Sequence, residues 1–289
     1  VTITHPDRLL WPEEGITKGE VAAYYREIAP LLLRHAAARP ATMVVFPRGL
    51  TGPSYYRRDR PADAPPWIEG VPYTRQSEPA TTTLILLNEA DDLLWLVNRG
   101  AIEFHLWLAR LPQLERPDQL VFDLDPGDDA PWTAVLECGQ LLHSVLTELG
   151  VESVVKTSGG RGLHVFVPIA PGPTFDEARR WTKAVADHLA AARPDLVSAA
   201  SGATHRGRLI TVDYAQNSIG KNMAAPYTLR ARPGAPVSAP LTWEEVHAGA
   251  IHPGQFTLRT IRDRLERVGD LFEAALSARQ RLPPPPSPL

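Results

Sequence analysis

The chain has 289 residues, 44% of them hydrophobic, enough apolar material for one large domain or two small ones sharing a core. Its formal net charge of −3 excludes a global pull toward nucleic acid or membrane, so any polyanion site has to be a local basic cluster. A single cysteine, Cys138, excludes a disulfide framework and fits a reducing cytoplasm. The most apolar stretch, Leu84 to Val97, is broken by Asn88, Glu89, Asp91 and Asp92 and is no candidate to span a bilayer.

The start, Val1-Thr2-Ile3-Thr4-His5-Pro6, carries no charged-then-apolar signal pattern, so a soluble intracellular protein is expected. Beginning on Val also fits a piece trimmed from something longer. Thr17-x-x-Glu20 is a capping box and predicts a helix from about Val21 to Ala37, with Arg8 and Lys18 beside a helix start that favours an anion. From Thr42 to Leu87 the pattern is strand and turn, including Met43-Val44-Val45-Phe46 and Thr81 to Ile85. In Ser54-Tyr55-Tyr56-Arg57-Arg58, aromatics beside cations could stack bases and hold phosphates, or could simply be half-buried strand residues. Ile102 to Leu106 alternates and places Glu103 and His105 on one face of a strand.

Leu120-Val121-Phe122-Asp123-Leu124-Asp125-Pro126-Gly127 reads as a short strand ending at Asp125, with Asp123 and Asp125 on the same face. Two carboxylates so placed repel unless a cation sits between them, and carboxylate oxygens suit Mg²⁺ or Mn²⁺; a solvated pair leading into a turn is the plainer reading. A helix follows from about Pro131 to Leu149 on the stripe Val135, Cys138, Leu141, Leu142, Val145 and Leu149. Val154 to Val167 is strand, glycine turn, strand. Its Lys156-Thr157-Ser158-Gly159-Gly160-Arg161-Gly162-Leu163-His164 offers backbone N–H groups, a hydroxyl and a guanidinium to an anion, without the Walker pattern. Thr174-x-x-Glu177 caps a helix to about Ala192. Another acidic strand end, Val212-Asp213-Tyr214-Ala215-Gln216-Asn217, lies downstream of Arg206 and Arg208. Lys221, Arg230 and Arg232 fall in an irregular segment, Thr242-x-x-Glu245 caps a charged helical tail, and Leu282 to Pro288 reads as a linker or disordered terminus.

Acidic strand ends, a glycine turn with hydroxyl and cation, and scattered arginines fit two-metal nucleotidyl transfer. A two-metal nuclease or phosphoesterase and a non-catalytic end-bridging module stay open. The three motifs around Asp123, Ser158 and Asp213, in this order, resemble the polymerase domain of bacterial ligase D, of the archaeo-eukaryotic primase superfamily, from His5-Pro6-Asp7 to the helix after Trp243. The resemblance implies an α/β (α+β) primase-polymerase-like fold with mixed and antiparallel sheets flanked by helices. It implies one domain of two packed modules over residues 1–275 and a Pro-rich tail or linker over 276–289.

It further implies template-directed filling of gaps and extension of broken ends in non-homologous end joining, with ribonucleotides favoured and primer synthesis de novo as an alternative. Asp123, Asp125 and Asp213 match the family's catalytic, metal-binding aspartates, for two Mn²⁺ or Mg²⁺ ions. His105, Ser158, Arg161, His164, Arg206, Gln216, Lys221, Arg230 and Tyr56 match nucleotide contacts. Arg8 and Lys18 match the grip on a downstream 5′-phosphate, and Tyr55 and Tyr56 the aromatic pair near the bases. Implied partners are gapped, overhanging or broken DNA, NTP or dNTP substrates, Ku, and ligase and phosphoesterase modules, in a bacterial, nucleoid-associated cytoplasmic setting with no membrane. The resemblance is broken in three places: Arg161 stands where a Lys is typical in the turn, Tyr55-Tyr56 where a Phe pair is usual, and Val44-Val45 where basic residues are common.

Overall fold

The computed structural model describes residues 1–74, 81–199, 207–277 and 280–287. A small hairpin of β1 (Leu9–Trp11) and β2 (Ile16–Thr17) leads into α1 (Lys18–Ala36), whose capping box is formed as expected: Glu20 N–H donates to Thr17 Oγ1, and Thr17 N–H to Glu20. Strands β3 (Ala41–Val45), β4 (Tyr55–Arg57), β5 (Gly70–Thr74) and β6 (Thr81–Ile85) follow, then α2 (Ala90–Asn98) and β7 (Ala101–Trp107). The central strand β8 (Gln119–Pro126) runs one residue past Asp125 before α3 (Trp132–Glu148). Next come β9 (Val154–Thr157), β10 (Leu163–Pro168), α4 (Phe175–Ala192), β11 (Val197–Ser198), β12 (Ile210–Asp213), β13 (Asn222–Ala224) and β14 (Pro240–Leu241). Three short helices, α5 (Trp243–Ala248), α6 (Ile261–Val268) and α7 (Ala274–Ser277), close the chain.

These strands make two six-stranded sheets. The acidic sheet has the order β11-β12-β8-β10-β9-β14, antiparallel except for β11 with β12. The second has the order β13-β7-β3-β6-β5, with β4 also paired to β3. Alternation along β8 sends Phe122 and Leu124 to the face covered by α3 and α4, where Phe122 lies 6.3 Å from the Trp181 ring. The second sheet is backed by α1 and α2, with Tyr25 edge-on to Phe104 at 4.9 Å. The opposite faces meet through Val121, Phe166, Met223, Leu108 and Phe272, an apolar plug at one end of the space between the sheets. The other end of that space holds the polar residues.

The broken apolar stretch yields α2 as well as a strand, because Asp92 takes the Asn88 and Glu89 amides and caps the helix. The Pro-rich end lies on the body across its described residues: Trp181 Nε1 donates to Pro283 O, and Gln280 bonds Pro168 O and both backbone groups of Glu152. Among the described residues, no helix is long and apolar enough to cross a membrane.

After Asp213 the chain turns away from β8, which would leave Val121 without a partner on that side. The Asn217 side chain replaces the missing strand. Its Oδ1 accepts from Val121 N at 2.9 Å and its Nδ2 donates to Val121 O at 2.7 Å, both fully out of water. Asn217→Ala strands a buried donor and a buried acceptor, so unfolding free energy should fall by about 2–5 kcal/mol. A urea titration followed by tryptophan fluorescence measures it; an unchanged midpoint would show the latch to be dispensable.

Candidate active site

Strand register builds the site. Asp213 of β12 lies directly opposite Asp123 of β8, Asp123 opposite His164 of β10, and His164 opposite Lys156 of β9. Cross-strand partners share a face, so Asp213, Asp123, His164 and Lys156 form one row across four strands. Asp125 stands further along β8, opposite Thr211, on the same face. His164 Nε2 is 3.4 Å from Asp123 Oδ1, and that oxygen is buried without a hydrogen-bond partner. Both Asp213 oxygens are engaged, by the Ala215 amide at 2.8 Å and by Gln216 Nε2 at 3.3 Å.

Burial, then Asp125 and Asp213, push the Asp123 carboxyl well above its ordinary range. Burial and Asp213 push Asp125 upward also. An orphaned carboxylate oxygen among mutually repelling acids is a donor set that a hard divalent cation fits. The set is not already closed around an ion: among the described residues, no three His, Cys, Asp or Glu side chains converge on one point.

The facing wall comes from β7 and the segment after β13. Glu103 Oε2 receives Arg230 Nε at 2.9 Å and contacts His105 Nε2 at 2.9 Å, while Oε1 accepts the Ala231 amide. Burial alone would raise the Glu103 carboxyl, but His105, Arg230 and that amide outweigh it and hold it at about 2. Arg230 also donates to the Ser158 carbonyl, and Arg230 and Arg232 both oppose the upward push on Asp125. Tyr25, which donates to Ile102 O and accepts from the Leu229 amide, ties this segment to β7.

The glycine turn is built more tightly than an open anion nest. Ser158 Oγ accepts from the Gly160 and Gly162 amides at 3.1 and 3.2 Å, so two of the N–H groups offered by the sequence serve the turn itself. Gly162 sits against the Leu124 carbonyl with no room for a Cβ, and Gly159 has φ +70° against Arg230. Arg161 folds outward and donates to the Gly127, Asp128 and Ala130 carbonyls, holding the turn that follows β8.

Other expected residues are distributed around this centre. Tyr56 is 65% exposed and stands edge-on to His105 at 6.2 Å, whereas Tyr55, its strand neighbour, lines a separate 280 Å³ cavity with Arg57 and Arg99. Lys221 lines a cleft of about 680 Å³ with Arg58, Tyr73 and Arg179. Lys18 is buried and donates to Thr4 O at 2.9 Å and Asn98 Oδ1 at 2.8 Å; burial and Arg8 lower its pKa. Arg8 beside it is exposed. Arg206 lies outside the described residues. Lys156, Arg232, Ser238 and Asn217 were not singled out from sequence as site residues, since their importance comes from cross-strand register and from loops folding back.

Two sheets with an acidic row on one wall and a Glu–His–Arg cluster on the other define a primase-polymerase type of domain. The family model for the LigD primase-polymerase domain matches residues 17–272. The chain belongs to that family. It is 38% identical over 98% of its length to the multifunctional non-homologous end joining protein LigD of Pseudomonas aeruginosa, and 33% identical over 94% to that of Mycolicibacterium smegmatis. It covers 34% and 35% of those proteins, about a third of their length. The solved polymerase domain of Mycobacterium tuberculosis ligase D in complex with DNA superposes with a TM-score of 0.88 at 32% identity, covering 96% of this chain and 99% of that one.

The upward push on Asp123 carries a sign. Its unfolded carboxyl ionises near 3.8, while the folded one keeps its proton to higher pH. The metal-free fold therefore loses stability as pH rises above 3.8, and the loss is complete above the folded value. Asp123→Asn should raise stability in chelator at neutral pH and flatten its decline with pH. Denaturation of wild type and variant in chelator from pH 5 to 8 (roughly the span in which stability usually peaks) reads both effects. Parallel curves would mean that Asp123 carries no such strain.

Proposed function

We propose that this chain is a template-directed nucleotidyltransferase that fills gaps and extends broken DNA ends in non-homologous end joining, with ribonucleotides favoured. The observation that carries it is the pair of facing walls: Asp213, Asp123 and His164 in one row, and Arg230 held by Glu103 opposite them. Asp123, Asp125 and Asp213 are the residues that would hold two Mn²⁺ or Mg²⁺ ions. When bound, such ions activate a hydroxyl and neutralise a pyrophosphate leaving group.

The chain's own side chains do the rest. Arg230 is fixed on Glu103 and the Ser158 carbonyl, so its cationic charge is already in place where a triphosphate accumulates negative charge. Arg232 adds a cation beside the glycine turn, near Gly160. The exposed Tyr56 ring offers a stacking surface next to His105, which Glu103 orients. Ku and ligase or phosphoesterase modules belong to the same proposal, since the relatives are named as multifunctional end-joining proteins.

Primer extension on a gapped template with labelled ATP or dATP, in Mg²⁺ or Mn²⁺, is the test. Lengthened primer with release of pyrophosphate, abolished by Asp123→Ala or Asp213→Ala, is the expected result. A shortened primer would point to a nuclease. DNA binding with no metal-dependent reaction would leave an end-bridging module.

The 5′-phosphate contact divides unequally between its two cations. Lys18 is committed to Thr4 and Asn98, while Arg8 is exposed and able to meet a phosphate. Wild type should fill a gap with a downstream 5′-phosphate faster than one with a 5′-hydroxyl. Arg8→Ala should remove that preference at unchanged melting temperature, whereas Lys18→Ala should also lower the melting temperature. Equal filling of both gaps by wild type would remove end recognition from the proposal.

A further inference from the structure

Lys156 has no part in the chemistry above, yet it is wholly buried at the closed end of the acidic row. An ammonium there has lost its water and lies near Arg230, and both effects press it toward the neutral amine. Its hydrogen-bond partners are neutral groups, His164 Nδ1 at 2.8 Å and Ser238 Oγ. Counting hydrogens fixes the direction of each bond.

Ser238 has one hydroxyl hydrogen, and it goes to the Thr157 carbonyl at 2.8 Å, so Ser238 Oγ accepts from Lys156. At the other end of the row, His164 Nε2 faces Asp123 Oδ1 at 3.4 Å. An amine that accepted from Nδ1–H would keep a second buried N–H that neither of its two partners receives, so Lys156 Nζ donates to both Ser238 Oγ and His164 Nδ1. Nδ1 therefore presents its lone pair, and the imidazole hydrogen sits on Nε2. Lys156 donates to that lone pair. Two N–H bonds serve both partners, so the arrangement holds for either charge state of the amine.

We infer that Lys156 is a positioning residue: by donating to His164 Nδ1 it holds the imidazole as the Nε2–H tautomer and aims an N–H donor at the acidic edge of the cleft. A triphosphate oxygen there meets a donor already oriented, without reorganisation at the moment of reaction. The opposite tautomer would aim a lone pair at Asp123. This role rests on the nucleotidyl-transfer reading, but the hydrogen-bond arrangement behind it does not.

The experiment has two arms on the full chain. In the first, ¹⁵N-histidine-labelled protein without metal or nucleotide is examined by long-range ¹H–¹⁵N correlation. Wild-type His164 is expected as a single tautomer, protonated on Nε2 only, and Lys156→Met should lose that single form. A proton on Nδ1 in the wild type overturns the inference without needing any variant to fold.

In the second arm, single-nucleotide addition is measured. Lys156→Met should raise KM for ATP about tenfold, the equivalent of one hydrogen bond, with a smaller change in kcat. Lys156→Arg, still a donor, should recover most of the loss. In a His164→Ala background Lys156→Met should add nothing, because a residue that acts through His164 has nothing left to position. An equal loss in both backgrounds would make Lys156 a structural residue only. Absence of nucleotide addition in the wild type would remove the proposed function, while the spectrum would still decide the tautomer.

Discussion

The pairing of β12 with β8 puts Asp213 directly opposite Asp123, and the fold is organised around holding these like charges together. Nothing local favours that register: each carboxylate loses solvation and gains a repelling neighbour. It is imposed from behind and from the side. Behind, Phe122 and Leu124 are locked into the core under α3 and α4, so the acidic face of β8 has no freedom to turn over. At the side, the Asn217 amide grips Val121 like one more strand residue and prevents β12 from slipping along β8.

The neighbours of the acidic pair are arranged to the same end. The glycine turn spends its Gly160 and Gly162 amides on Ser158 and brings its backbone against the Leu124 carbonyl, so it acts first as a rigid shoulder for the end of β8. Arg161 extends that shoulder by bonding three carbonyls of the following turn. One planar guanidinium here reaches several acceptors at once. The cations that act on Asp125 are instead Arg230 and Arg232, beyond the turn.

Much of this was legible in the sequence, and the limits are physical. Three capping boxes located helix starts because the signal is confined to four residues: Thr17, Thr174 and Thr242 each cap as expected. Strand alternation correctly joined Asp123 with Asp125 and Glu103 with His105. Alternation also separates Tyr55 from Tyr56, a consequence that their likeness to an aromatic pair conceals. Lys156 could not be ranked above other strand residues, because its partner His164 is set by a hairpin register that no local signal prints. Lys18 shows the limit in the other direction. A lysine at a helix start reads as free charge, but Thr4 and Asn98, distant in sequence, close over it.

Val44 shows how one apolar position can redirect a polar network. On β3 it is paired with Tyr56 on one side and Glu103 on the other, in the same row. A basic residue at 44 would compete with Arg230 for the Glu103 carboxylate. With Val there, Glu103 spends both oxygens on Arg230, His105 and the Ala231 amide. An apolar residue on β3 therefore does not leave Glu103 short of partners. It commits Glu103 to the segment carrying Arg230, and through Arg230 to the Ser158 carbonyl in the glycine turn. With an apolar residue on β3, Glu103 is thus left to bridge the two walls.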